Sequence, residues 1–271
     1  WFKLWIYDGY TMNDLTKLSG YSLFKIKTII YYWLEKEPPD SVKLVQPKYV
    51  VYDATYFHKD GCLMILFDSI NQVIIKTLYC YKESYYQIIE WFKDLANKGF
   101  SPIYVTMDGE RGIMRAFKDT WNNIKIQRCL FHIQHEGCRW LRTYPKTEAG
   151  KNLKGLLLFL PSIKSVKDQK QFIRRFKSWI KTYQHSVLAL PMDIKANYDL
   201  KRTVTLINRA LPNMFYYIND PNVRSTSNIL ESLYGRIKKA YRQHCGLTHK
   251  HKIQFLKWYC YYENQHKTNI F

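Results

Sequence analysis

The chain has 271 residues, of which 46% are hydrophobic and 24% charged, a balance that allows an ordinary buried core. Its formal net charge of +20 calls for a polyanionic partner, nucleic acid first. No apolar run nears the ~18 residues a membrane span needs, and no basic amphipathic helix with a separate apolar face suggests membrane-surface binding.

The six cysteines are scattered without a CxxC pair, which favours a reducing compartment over a disulfide framework. No secretory signal pattern is visible. The chain begins at Trp1 rather than Met, so the N-terminal region is expected to be truncated.

Residues 10–35 read as two short helices. Thr11 is placed to cap the first, Gly20 to make the turn and Ser22 to cap the second. Leu15, Leu18, Leu23, Ile26 and Ile30 supply a shared apolar face. The spacing suits a helix-turn-helix, with Lys25 and Lys27 facing outward on its second helix; a plain αα-hairpin is the bland alternative. Residues 1–37 are therefore assigned to a DNA-binding region, and the proline-containing residues 38–47 to a linker.

Strand patterns follow at 49–57, 61–69 and 73–80, with connections short enough for an antiparallel meander. A helix is predicted over 84–98, with Ile88, Ile89, Phe92 and Leu95 on one side and Gly99 closing it. A fourth strand at 102–107, a helix at 110–120, a fifth strand at 124–128 and a helix at 130–142 complete the order βββαβαβα. If the first and fourth strands are neighbours, this order brings Asp53 and Asp108 to one sheet edge. Residues 143–222 read as helical and basic. Helices over 227–241 and 248–263 end the chain.

An aspartate inside an apolar strand is expensive to bury without compensation. Asp53 is such a residue, flanked by Val50, Val51, Tyr52 and Ala54, and Asp108 ends the apolar run 103–107. Carboxylates on neighbouring strands suit a hard divalent cation. Glu231, on a helix ahead of a basic stretch, is chosen as the third ligand, with Glu110 and Glu136 as rivals. Two Mg²⁺ ions about 4 Å apart, which Mn²⁺ can replace, would activate a water or 3′-hydroxyl and stabilise the leaving oxygen. Read singly, Asp108 is a strand-ending turn, Asp53 a paired core aspartate and Glu231 a solvated helix residue. The conjunction carries the argument.

Four segments then resemble one family, the bacterial IS256 and eukaryotic Mutator-like group of DDE transposases. They are Tyr52-Asp53-Ala54-Thr55, Thr106-Met107-Asp108-Gly109-Glu110-Arg111-Gly112, Gln127-Arg128-Cys129-Leu130-Phe131-His132, and Arg224-Ser225-Thr226-Ser227-Asn228-Ile229-Leu230-Glu231. Met107 within the second segment and Ser227 between Thr226 and Asn228 depart from the family pattern. The resemblance covers residues 48 to about 264. It implies an RNase H-like α/β core (48–142 and 223–271) built on a mixed five-stranded sheet, with an all-helical insertion (143–222). It implies Asp53, Asp108 and Glu231 as metal ligands, and Cys129 with His132 near the site. Cys129 is expected in the core, with His132 approaching the scissile phosphate or making a structural hydrogen bond.

The run Cys129, His132, His135, Cys138 also has a zinc-like look. Ligands spread over half the circumference of one straight helix cannot surround a tetrahedral ion. Arg236, Lys238, Lys239 and Arg242 put positive charge just after Glu231, where Asn228 and a phosphate backbone are expected; a solvated helix face is the alternative. Trp258, Tyr259, Tyr261 and Tyr262 read as packing aromatics. The leading expectation is a transposase acting as a homodimer on double-stranded DNA without membrane contact. It would lie in the cytoplasm, at the nucleoid, in a prokaryote and in the nucleus in a eukaryote. The rival expectations are a nuclease or resolvase that does not join strands, and a non-catalytic DNA-binding regulator.

Overall fold

A computed structural model describes residues 1–39, 47–58 and 60–268. Most of the expected linker, residues 40–46, lies outside the described residues. The chain divides into two compact units, Trp1–Pro102 with Arg115–Asn122 and Ile229–Phe271, and Ile103–Met114 with Asn123–Asn228. Five strands form one mixed sheet: β1 (Tyr49–Tyr56), β2 (Cys62–Asp68), β3 (Val73–Cys80), β4 (Tyr104–Met107) and β5 (Lys125–Arg128), in the order β3-β2-β1-β4-β5. β1 with β2 and β2 with β3 are antiparallel, and β4 with β5 is parallel.

In the first unit, β2 is buried at all seven positions, as its apolar run requires once both faces are covered. Its last residue, Asp68, accepts from Ile70 N (2.8 Å), Asn71 N (3.1 Å) and Asn71 Nδ2 (2.7 Å). This aspartate turn closes the β2–β3 hairpin. One sheet face carries Tyr52, whose ring meets Phe92 and Phe117 edge-on. Phe92 lies on α4 (Tyr85–Asn97) and Phe117 on α5 (Arg111–Thr120). The alternate residues Val51, Leu63, Ile65 and Phe67 join a core with Leu230, Leu233, Tyr234 and Ile237 of α11 (Asn228–Gln243) and Phe255, Leu256 and Trp258 of α12 (His249–Thr268). Asn264 of α12 clasps the edge strand β3. Its Oδ1 accepts from Ile74 N and its Nδ2 donates to Ile74 O, both at 2.8 Å.

The N-terminal helices belong to this same core. α2 (Met12–Ser19) is capped by Thr11 through a box with Asp14, ends on Gly20 at φ 71°, and leads to α3 (Leu23–Leu34), capped by Ser22. A further helix, α1 (Phe2–Ile6), precedes them, and no capping signal or long period announces it. Phe2, Trp5 and Ile6 pack with Leu15, Ile26, Ile30 and Leu34. This corrects the expected shared face, because Leu18 is 58% and Leu23 40% exposed. The stripe on α3 is Ile26, Ile30 and Leu34 at i, i+4, i+8, and α1 supplies the rest of the apolar cover. Residues of α1 and α3 also pack against α12. Trp258 Nε1 donates to the carbonyls of Trp33 and Lys36, and Lys257 pairs with Glu37.

The second unit holds β4, β5 and α6 (Leu130–Leu141), then α7 (Glu148–Phe159), α8 (Val166–Ala189), α9 (Lys195–Ala210) and the short α10 (Tyr216–Asn219). Residues 143–222 are helical and contain no strand among the described residues, as their sequence suggested. Their core joins Leu130, Ile133 and Leu141 of α6 to Leu153, Leu157, Phe172, Phe176, Trp179 and Ile207. β4 starts at Tyr104 rather than 102, and no ladder bond can come from Pro102, which lacks an N–H.

Candidate functional site

In the first unit, Asp53 stands on β1 opposite Ile65. Its residue parity is that of Val51, on the sheet face covered by α11 and α12. It is half-buried, and its Oδ1 accepts from Ala54 N at 3.0 Å. The hydroxyl of Tyr234, buried in α11, donates to the Asp53 carbonyl at 2.6 Å. Burial, with the nearby Asp53 charge, raises the Tyr234 phenol well above its usual range. Glu231 lies three residues before Tyr234 on the same helix side and is exposed. This half-buried hydrogen bond ties the helix carrying Glu231 to the strand carrying Asp53, beside the core packing of Val51 with α11.

The basic residues after Glu231 divide. At ~100° per residue, Lys238 and Arg242 fall within about 20° of the Glu231 direction, whereas Arg236 falls about 140° away. Arg236 pairs instead with the buried Glu263 of α12. Burial, then the Arg242 charge, pulls the Lys238 ammonium below its usual range. Lys239 and Arg242 are exposed, as are Asn228 at the start of α11 and Lys25 and Lys27 on α3.

In the second unit, β4 ends at Met107 and Asp108 follows. Asp108 Oδ1 accepts from Glu110 N at 3.1 Å, and Glu110 Oε2 accepts from Ile113 N at 2.8 Å. Glu110, the local rival for a ligand role, therefore caps the first turn of α5. Arg128, at the end of β5, is only 7% exposed. Burial lowers its guanidinium pKa, against the opposing pull of Asp108. Its Nε has no hydrogen-bond partner among the described residues. The guanidinium lies so close over Gly109 that a Cβ there would stand 1.9 Å from Nη2 and 2.0 Å from Cζ.

Three of the four motif segments are stitched together in this unit. Thr106 Oγ1 donates to the Arg224 carbonyl at 2.7 Å, and Leu130 N donates to the Ser225 carbonyl at 2.9 Å. Ser227 N and Oγ both meet Cys129 Sγ, at 3.3 and 3.5 Å. Cys129 is fully buried at the N-terminus of α6. Burial raises its thiol, but hydrogen bonding and charge from His132 and a hydrogen bond from Ser227 outweigh it and hold the pKa below its usual value. His132 is half-buried, its ring edge-on to Phe131.

Sequence reading missed the role of Gln127. Wholly buried, its Nε2 donates to the Arg128 and Met214 carbonyls, both at 2.8 Å, and its Oε1 accepts from Tyr216 N at 2.9 Å. It ties β5 to the far end of the helical segment. β5 reads Lys125-Ile126-Gln127-Arg128, so no apolar run marks the glutamine as buried, and its partners lie far along the chain.

Carboxylates are the right donors for a hard divalent cation. Among the described residues, however, no three His, Cys, Asp or Glu side chains are gathered closely enough to form a metal-binding group. No described helix is long and apolar enough to cross a membrane.

No protein-family model and no curated protein matches this sequence. Among solved structures it is similar to a chain of the simian T-cell lymphotropic virus intasome in complex with PP2A regulatory subunit B56 gamma. The identity is 13%, the match covers 68% of this chain and 58% of that one, and the TM-score is 0.25. This chain thus matches less than two thirds of that chain's length, and a likeness so slight carries no argument about activity.

Proposed function

We propose that this chain is the catalytic core of a DNA transposase with an RNase H-like fold, of the IS256 and Mutator-like kind. The observation that supports it best is the stitching of Thr106, Cys129 and Ser227, three motif positions drawn together across a helical segment. A chance set of short motifs has no reason to share hydrogen bonds over about a hundred residues.

In this reading Asp53, Asp108 and Glu231 would hold two Mg²⁺ ions, with Mn²⁺ as a substitute. When bound, the metals would supply charge stabilisation at the attacking and leaving oxygens. The Tyr234 hydroxyl fixes α11 against β1, so that Glu231 keeps its place along the strand. Cys129 and Ser227 anchor the chain just before α11, and His132 faces the phosphate that is cut. Lys238, Arg242, Lys239 and Asn228 hold the DNA backbone beside Glu231, while α2 and α3, with Lys25 and Lys27, bind duplex DNA as a helix-turn-helix. Arg236, held by Glu263, serves packing instead. Hydrolysis frees a 3′-hydroxyl at each element end, which then attacks target DNA. Joining two ends calls for a homodimer.

The test is metal-dependent nicking and joining by the parent and by Asp53→Ala, Asp108→Ala and Glu231→Ala on a pre-nicked branched substrate. Each substitution is expected to cut joining by roughly 1,000-fold or more, the loss of several kcal/mol of charge stabilisation, with DNA binding kept. Activity surviving only in Glu231→Ala would move the third ligand elsewhere. Parent-like activity in all three would end the catalytic reading.

A further inference from the structure

The longest helix of the second unit is asymmetric in a way that the proposed chemistry does not use. α8 carries Lys167, Lys170, Arg174, Arg175, Lys177 and Lys181 but a single acid, Asp168. Asp168 is engaged at the helix start in a capping box with Ser165. Lys167, Lys170, Arg174, Lys177 and Lys181 follow one another at three- and four-residue steps, so at ~100° per residue they share an arc of about 80°. The buried residues Phe172, Phe176, Trp179 and Val187 centre on nearly the opposite side. All five cations are exposed, and among the described residues none enters an ion pair or a side-chain hydrogen bond. Arg175 lies outside the arc, its guanidinium 5.3 Å from the Phe159 ring.

From Lys167 to Lys181 the row is straight and about 21 Å long at 1.5 Å per residue. Duplex DNA carries one charge per ~1.7 Å of axis with both strands counted, so a row of this length spans a stretch of duplex with about a dozen phosphates, of which those on the near side face it. Like charges held in line repel one another, and a polyanion laid along them relieves that repulsion. The apolar side of α8 is already spent on the core, and its exposed large apolar residues, Val166 and Leu188, stand singly at its two ends, too little to insert into a lipid surface. Contacts from such cations to phosphates position the duplex and carry no sequence information.

We infer that this row on α8 is a binding surface for the backbone of duplex DNA, indifferent to sequence, that keeps flanking or target DNA on the helical segment. The inference rests on the reading of the chain as a DNA-processing enzyme. It adds a contact area separate from α3 and from the residues following Glu231.

The test uses the full chain and a linear duplex of scrambled sequence, with binding followed by fluorescence anisotropy across a salt series. The variant K167Q/K170Q/R174Q/K177Q/K181Q is compared with K3Q/K82Q/K93Q/K98Q/K118Q, which removes equal charge from exposed positions elsewhere. Each phosphate contact contributes about 0.9 to the slope of log affinity against log salt. The α8 variant is therefore expected to lose about 4 from that slope, and the control less than 1, both with parent-like melting curves. Equal losses in the two variants would reduce the effect to net charge and overturn the inference. So would an unchanged slope in the α8 variant while the parent binds and joins DNA, or a loss confined to anionic vesicles. A parent that binds no DNA would end the transposase reading together with this one.

Discussion

Replacing Gly109 by alanine tests the contact between the Asp108 turn and Arg128. The new Cβ would meet Nη2, Cζ and Nη1 of Arg128 at 1.9, 2.0 and 2.5 Å. Reaching ordinary contact requires the guanidinium to retreat by roughly 1.5 Å, and at 7% exposure it has little room to do so. Overpacking of this kind costs about 1–3 kcal/mol. Moving a buried guanidinium away from Asp108, the acid that offsets its burial, places the estimate near the middle, about 2 kcal/mol. For a chain of this size that corresponds to a melting shift of about 4–8 °C. The assay is a double-mutant cycle by urea and thermal unfolding, with Gly109→Ala introduced into the parent and into Arg128→Met. If the guanidinium is the obstacle, the penalty falls below ~0.5 kcal/mol in the methionine background. An equal penalty in both backgrounds would refute the steric argument.

Two more outcomes follow from the buried polar groups. Gln127→Leu keeps the volume but strands the Arg128 and Met214 carbonyls and the Tyr216 N–H. At about 1 kcal/mol per bond it is expected to cost roughly 3 kcal/mol in urea unfolding, and a loss under ~1 kcal/mol would show that the strut is idle. Burial between Trp5 and Phe255 lowers the His244 pKa, so the unfolded chain takes up its proton first. Its contribution is whole above the unfolded value of about 6.5 and drains away as pH falls through the lower folded value. The melting temperature should drop from pH 7.5 to pH 5, and His244→Phe should shrink that drop; an unaltered pH dependence would contradict the assignment.

Much of the fold was legible because its signals are local. The caps at Thr11 and Ser22, the turn at Gly20 and the β-former-rich runs of β1, β2 and β3 each lie within one element. The helical character of residues 143–222 follows from composition and period. α1 was hidden because five residues carry too little period to detect, and Phe2, Trp5 and Ile6 are held by distant partners. The same distance hid the outward turn of Leu18 and Leu23, which look like core residues until α1 takes their place. Asp53 was conspicuous by its apolar setting, whereas Glu231 taken alone reads as an ordinary helix glutamate. The Tyr234 hydrogen bond between their elements spans 181 positions, and nothing in either neighbourhood announces it. Gln127 and Arg128 likewise owe their surroundings to segments far along the chain.

The clasp of Asn264 on Ile74 has a consequence for handling the molecule at high concentration. β3 ends the sheet, and an open edge is a template on which a second copy can add its own strand. By occupying both backbone polar groups of Ile74, a single amide does at that position what an extra strand would do and blunts the template there. High concentration brings copies close together. There, a blunted edge separates orderly assembly from aggregation.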